Sequence, residues 1–354
     1  MIRVRPASPA RRPPDLLTTT AIVVAVLAVS SSAPLIVFAA APALAIAFWR
    51  NALALTVLAP VAVARRRREL VALARGPGRV DGLFSALAGL ALAVHFGTWV
   101  SSVKLTTVAA AAALGATQPV WQGLIASAQG RRPPPLTWLG IAVAVVGAAL
   151  ATGADVGASR GAVVGDLLAV TGGVAVAIYT ALGERVRASV STTAYTTVCY
   201  GTCALALLAV CLLAGVPLTG FDPPTWLAIA ALVAGAQLLG HSMFNYALRR
   251  VSATTVSVLI LLEVPGATLL AWLWLGQAPR PGSLPGLVLL VAGVAIVVLG
   301  GARDARRSRP AALLDGPPID QGVWAEGDRS NTTSIDPDTR DRQRRAVRGP
   351  PRAG

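Results

Sequence analysis

Ten apolar runs separated by short polar connections dominate the chain between residues 16 and 301. A helix rises about 1.5 Å per residue, so roughly 20 apolar residues cross the hydrocarbon core of a bilayer. The pattern therefore predicts an all-α integral membrane fold with spans at 16–38, 42–64, 81–102, 105–127, 135–153, 163–183, 192–215, 225–248, 251–275 and 283–301.

The ninth run breaks its own pattern. Glu263 lies near its middle, where an ionisable side chain costs roughly 2.5–3.5 kcal/mol on insertion scales, so it should face protein or water rather than lipid. Pro265 follows two residues later and lacks a backbone donor, which predicts a bent or loosened helix beside the acid. On helical spacing Ser252, Thr255, Val256, Leu259 and Gly266 share the face of Glu263, a strip small and polar enough to line a cavity.

The run has a twin earlier in the chain. Shifting the sequence by 146 residues superposes His95 on His241, the only two histidines, together with Gly89 on Gly235, Pro119 on Pro265, Gly130 on Gly276, Gly140 on Gly286 and Gly147 on Gly293. A constant offset over about sixty residues reads as an internal duplication. Five spans per copy is an odd number, so the second copy should enter the membrane from the opposite side. The sequence thus predicts two inverted five-helix repeats, 16–153 and 163–301, the arrangement that in transporters places a substrate site near the midplane.

Composition agrees with a membrane class. Hydrophobic residues make up 55% and charged residues only 13%, against about 25% charged in a soluble domain. A net charge of +15 would suggest nucleic acid in a soluble chain, but here the arginines sit between spans and in the tails, so no nucleic-acid partner is expected. With the N-terminus cytoplasmic, 27 basic residues fall inside and three, Lys104, Arg160 and Arg280, outside. Both termini should therefore be cytoplasmic, with residues 1–15 and 302–354 as disordered tails too polar to offset their ordering entropy.

Several motifs carry no chemistry in this setting. Gly157 to Gly161 spells a nucleophile elbow, yet no strand precedes it and both histidines lie inside spans. Cys199, Cys203 and Cys211 share one span at spacings that suit neither a metal motif nor a loop-closing disulfide, and read as small apolar fillers. Asn331-Thr332-Thr333 fits a glycosylation sequon in a tail that a cytoplasmic location hides from that machinery. No phosphate loop or dinucleotide fingerprint appears, and neither a metal site, a cofactor nor an enzyme is expected.

The candidates for substrate or coupling contacts are the polar residues inside spans: Glu263, Arg50, His95, His241, Gln118, Asn245 and Thr117, the last being the twin of Glu263. Pro119 and Pro265 are the expected helix breaks. Gln122, Gln237, Trp99, Trp121, Tyr179 and Tyr246 could equally be interhelical contacts or cavity walls.

Three marks then carry a resemblance over about residues 16–301. They are Ala47-Phe48-Trp49-Arg50 in span 2, Gly165-Asp166-Leu167-Leu168 opening span 6, and Leu262-Glu263-Val264-Pro265 followed by Leu275-Gly276-Gln277 in span 9. With the five-plus-five plan, they resemble the drug/metabolite transporter superfamily, in particular its EamA-type bacterial members. The family usually places proline directly after the glutamate and a second glutamate after the glycine. Here Val264 intervenes, and Gln277 and Arg131 stand at the two glycine-glutamate positions. The resemblance implies a secondary carrier in the bacterial inner membrane, typically an exporter of amino acids, small metabolites or drugs. Protons are the coupling ion to be weighed, a homodimer is left open, and a passive channel of the same architecture is the alternative.

Overall fold

The computed structural model describes residues 15–106, 108–152, 160–275 and 281–314. Its main compact unit is Met1–Arg307, and Ser308–Gly354 forms a second. Among the described residues there is no strand. The helices are α1 (Leu16–Ser30), α2 (Ser32–Phe38), α3 (Ala43–Arg75), α4 (Arg79–Leu105), α5 (Val108–Gly115), α6 (Gln118–Ala128), α7 (Pro135–Thr152), α8 (Arg160–Val186), α9 (Thr192–Leu213), α10 (Pro223–Leu232), a π-helix at Val233–His241, α11 (Ser242–Ala247), α12 (Ala253–Ile260), α13 (Glu263–Leu275) and α14 (Leu284–Leu314).

Among the described residues, eight helical stretches are long and apolar enough to cross a membrane, and Pro135–Ala151 is a shorter apolar helix. The predicted fourth span, 105–127, is instead divided between α5 and α6, each too short to cross alone. Their surfaces suit lipid: Leu167, Leu205, Leu213, Leu227 and Val288 point outward, each more than 60% exposed, while Arg50, Asn51, Gln122, Gln237 and Asn245 are buried. Polar caps start several helices. Asp15, Ser191, Asp222 and Ser252 each accept a hydrogen bond from a backbone N–H three residues on, the N-cap arrangement that satisfies an otherwise orphaned donor.

Two helices run past their predicted ends. The apolar stretch of α3 stops near Ala64, yet the helix continues through Arg65–Arg68 to Arg75, bending at Arg66. α14 reaches Leu314, beyond the predicted limit at 301. The predicted N-terminal tail up to residue 14, the residues from 315 on with their sequon, and all but Arg160 and Gly161 of the elbow-like stretch lie outside the described residues.

The duplicated glycines explain how the two copies meet. Helices α7 and α14 approach so closely that a Cβ on Gly147 would collide with the Leu290 backbone and lie 2.8 Å from the Gly286 carbonyl oxygen. A Cβ on Gly293 would collide with the Ala144 backbone and lie 2.7 Å from the Gly140 carbonyl oxygen. Each of these contacts is the other shifted by 146 residues, so the pair is related by a local twofold axis. Gly140 faces Gly293 while Gly147 faces Gly286, and the two helices therefore run antiparallel. Only hydrogen side chains permit that approach.

The remaining helices exchange partners between copies. α4, α5 and α6 of the first copy pack on α8 of the second, whereas α1 of the first packs on residues 233–247 and on α13 of the second. This gives one bundle of α4, α5, α6 and α8 and another of α1, the 223–247 stretch and α13, with α12 between them and packed chiefly on α6 and α8 of the first. Helices α3 and α9 pack on each other and against both.

Candidate functional site

At the junction of these bundles the polar residues converge. Arg50 on α3 is 1% exposed, so it does not snorkel to the surface. Its Nε donates to Gln237 Oε1 at 2.9 Å, and Gln237 Nε2 in turn donates to Asn51 Oδ1 at 3.1 Å. The guanidinium carbon lies 3.9 Å from the Phe96 ring centroid, a cation–π contact in a desolvated setting. Its Nη2 is buried without an acceptor. A half-satisfied cation at the centre of an apolar fold is costly unless something else completes it.

His95 and His241 face each other across the bundle junction with ring centroids 6.2 Å apart. The offset that aligned them in sequence thus also brings them together in space. His95 shares a hydrogen bond with the Gly172 carbonyl at 2.9 Å, and His241 lies against Phe96 and Tyr179. Asn245, one further turn along, donates to Tyr179 Oη at 2.6 Å. The π-helix places Gln237 and His241 on this side and ends at Ser242, whose hydroxyl reaches Tyr200 Oη at 3.2 Å. Insertions of this kind in α-helices recur at functional sites.

Glu263 opens α13, just beyond a break at Leu261 and Leu262. Pro265 explains the break. The Leu261 carbonyl would receive its α-helical bond from residue 265, which has no N–H, and takes one from Val264 at 3.1 Å instead. No direct ion pair joins Glu263 to Arg50. Glu263, His95 and His241 keep partial accessibility at positions deep within their spans.

The first copy repeats the break without the acid. α5 ends at Gly115, α6 begins at Gln118, and Pro119 leaves the Gly115 carbonyl without its α-helical donor. Thr117 bonds the Leu114 carbonyl at 2.6 Å and accepts from Trp121 at 3.2 Å. Gln118 is buried with its Nε2 unpartnered, as are both amide atoms of Gln122. No hydrogen bond joins Thr117 or Gln118 to the Arg50 cluster; Trp99, stacked on His95, lies against Gly115.

The sequence reading left Asn51, Phe96, Tyr200 and Ser242 out. Asn51 and Ser242 carried a usable signal, each a polar residue adjoining a named candidate inside a span. Phe96 and Tyr200 carried none, since aromatic residues in an apolar run are commonly packing. The three cysteines are buried and free. Among the described residues no group of three or more His, Cys, Asp or Glu side chains is placed to hold a metal ion.

No curated protein matches the chain. One solved structure, titled only as the crystal structure of a protein, superposes with a TM-score of 0.64 on 81% of this chain and 97% of its own. At 24% sequence identity that likeness is one of fold. The profile of the EamA-like transporter family matches twice, at residues 16–153 and 163–299, almost the two copies drawn from the repeat. The chain is therefore a multi-pass membrane protein of the EamA-like transporter family, and a transporter of the drug/metabolite type.

Proposed function

We propose that the protein is a secondary transporter that exports small metabolites, amino acids or drugs from a bacterial cytoplasm by alternating access, with Glu263 coupling export to protons. One observation carries this reading: Glu263, His95 and His241 are partly accessible at the junction of two bundles that exchange helices between the copies. The antiparallel α7–α14 pair supports inverted copies, and the arginine count supports cytoplasmic termini and an inner-membrane location. A carboxyl beside a helix break can take up and release a proton as the bundles move around it, while Arg50, His95, His241 and Asn245 meet the solute. Gln118 and Thr117 mark the first copy's break and act through it.

Inverted vesicles loaded with a pH gradient, combined with growth of a deletion strain on amino acids and toxic analogues, test the reading. Glu263→Gln keeps size and hydrogen bonding but cannot ionise. Gradient dependence should disappear in this variant while insertion remains. Gradient-driven transport by Glu263→Gln would end the proton assignment, and flux indifferent to any gradient in the parent would favour a passive channel.

A further inference from the structure

At the arginine-rich face, the end of α8 carries two charged residues one helical turn apart that the central site does not use. Glu184 is 5% exposed, and its Oε1 accepts from the Ala253 backbone N–H at 3.2 Å. Ala253 is the first residue of α12, so this carboxylate sits at a helix N-terminus, where a negative charge is favoured. Its Oε2 pairs with Arg131 at 2.8 Å. Arg187 is 2% exposed, and its Nε donates to the Asn245 carbonyl oxygen at 2.9 Å in the last turn of α11, where a positive charge is favoured. A second Arg187 nitrogen donates to the Val190 carbonyl.

The two residues therefore grip both sides of the turn that joins α11 to α12. α8 belongs to one bundle and α11, on the near side of this turn, to the other, while α12 on its far side packs against α6 and α8. The duplication supplies an internal control. The positions 146 residues earlier are Phe38 and Ala41, at the opposite end of the fold, and neither carries a charge. Charged side chains near that end make other contacts: Lys104 Nζ donates to the Ala39 carbonyl at 3.0 Å, and Thr106 Oγ1 donates to Asp166 at 2.9 Å.

We infer that Glu184 and Arg187 form a latch that closes the central site at the arginine-rich face and must open for a solute to pass there. The inference rests on the alternating-access reading, and neither Glu184 nor Arg187 is assigned to solute or proton. Asn245 links the two levels. Its carbonyl is held by Arg187 while its side-chain amide holds Tyr179 in the site, so occupancy of the site can be felt at the latch.

Ala253→Pro removes the latch donor alone. Position 253 is the first of its helix, where proline is tolerated, and Ser252 before it has φ −69° and ψ 151°, which proline permits. Full-length protein in nanodiscs, with the native cysteines replaced and spin labels on Arg132→Cys and Arg249→Cys, reports the separation of the bundles at this face. We expect Ala253→Pro, Glu184→Ala and Arg187→Met each to add a longer-distance population. The closed-to-open ratio should fall by about tenfold, the effect of losing one hydrogen bond to a charged group. Glu184→Ala should exceed Ala253→Pro because it also frees Arg131. Unmoved distances in folded Ala253→Pro and Glu184→Ala would overturn the latch, even if their thermal stability fell. Because the distance needs no solute, shifted distances without any transport would count against the transporter reading and leave the latch standing.

Discussion

The two copies share a helix plan and differ in chemistry, and helices α5–α6 and α12–α13 show the difference at one position. Both pairs break at almost the same place, Ala116–Thr117 and Leu261–Leu262, one residue apart under the 146-residue offset, and both place a proline in the first turn beyond the break. Only the second copy puts an acid there. Thr117, the counterpart of Glu263, spends its hydroxyl on its own helix and on Trp121. Duplication thus supplied a symmetric frame, and an ionisable side chain stands on one side of it. Features that obey the offset should respond alike to mutation, and features that violate it should respond unequally.

The largest expected effect lies in the frame. Gly147→Val and Gly293→Val each push a side chain into the opposing backbone, which cannot yield as a flexible side chain would. Each should cost more than about 3 kcal/mol and remove most of the folded protein from the membrane fraction. The decisive feature is equality. If one variant accumulated normally and the other vanished, the twofold contact between α7 and α14 would be wrong.

At the breaks the expectation reverses. Glu263→Gln should reduce gradient-driven transport by at least about tenfold, whereas Thr117→Val should stay within about twofold of the parent. Comparable losses in both, measured in the same vesicles, would mean that the break matters and the carboxyl does not.

How far the sequence could be read depends on which of these layers a residue belongs to. The frame was legible because its determinants are local or periodic. Apolar run length predicted the helices, proline predicted both breaks, and glycines repeated at 146 turned out to touch each other. The site was legible only where an unusual residue stood in an apolar run, as with Arg50, His95, His241 and Glu263. Its grouping was not. Nothing in the order of residues told that Arg50 would bond Gln237, 187 positions away, or that Thr117 would bond its own helix and Trp121 instead of the cluster. The latch was hidden for a further reason: Glu184 and Arg187 look like ordinary loop charges until the helix ends they face are known.

A smaller asymmetry separates the two histidines. His95 bonds the Gly172 carbonyl, while His241 is packed among aromatic rings. His95→Phe removes that bond and should cost about 1 kcal/mol more than His241→Phe. Thermal unfolding of the two variants in one detergent measures the difference, and equal midpoints would show that the Gly172 contact contributes nothing.

The smallest effect is expected at Arg250, whose counterpart is Lys104. Lys104 finds only the Ala39 carbonyl, while Arg250 pairs with the Asp15 carboxylate that caps α1. Arg250, then Thr18, holds the Asp15 carboxyl well below the usual carboxylate range. A depressed acid contributes its stability above the unfolded value of about 4 and loses it progressively as pH falls below that point. Both partners are largely solvent-exposed, so screening keeps the contribution small. Asp15→Asn retains a good capping side chain and removes only the charge, isolating the ion pair from the cap. Its melting temperature should lie less than about 2 °C below the parent at neutral pH. The gap should narrow in high salt and again as pH drops below about 4. A gap that stayed constant from pH 7 to pH 3 would assign the effect to the cap rather than to the charge.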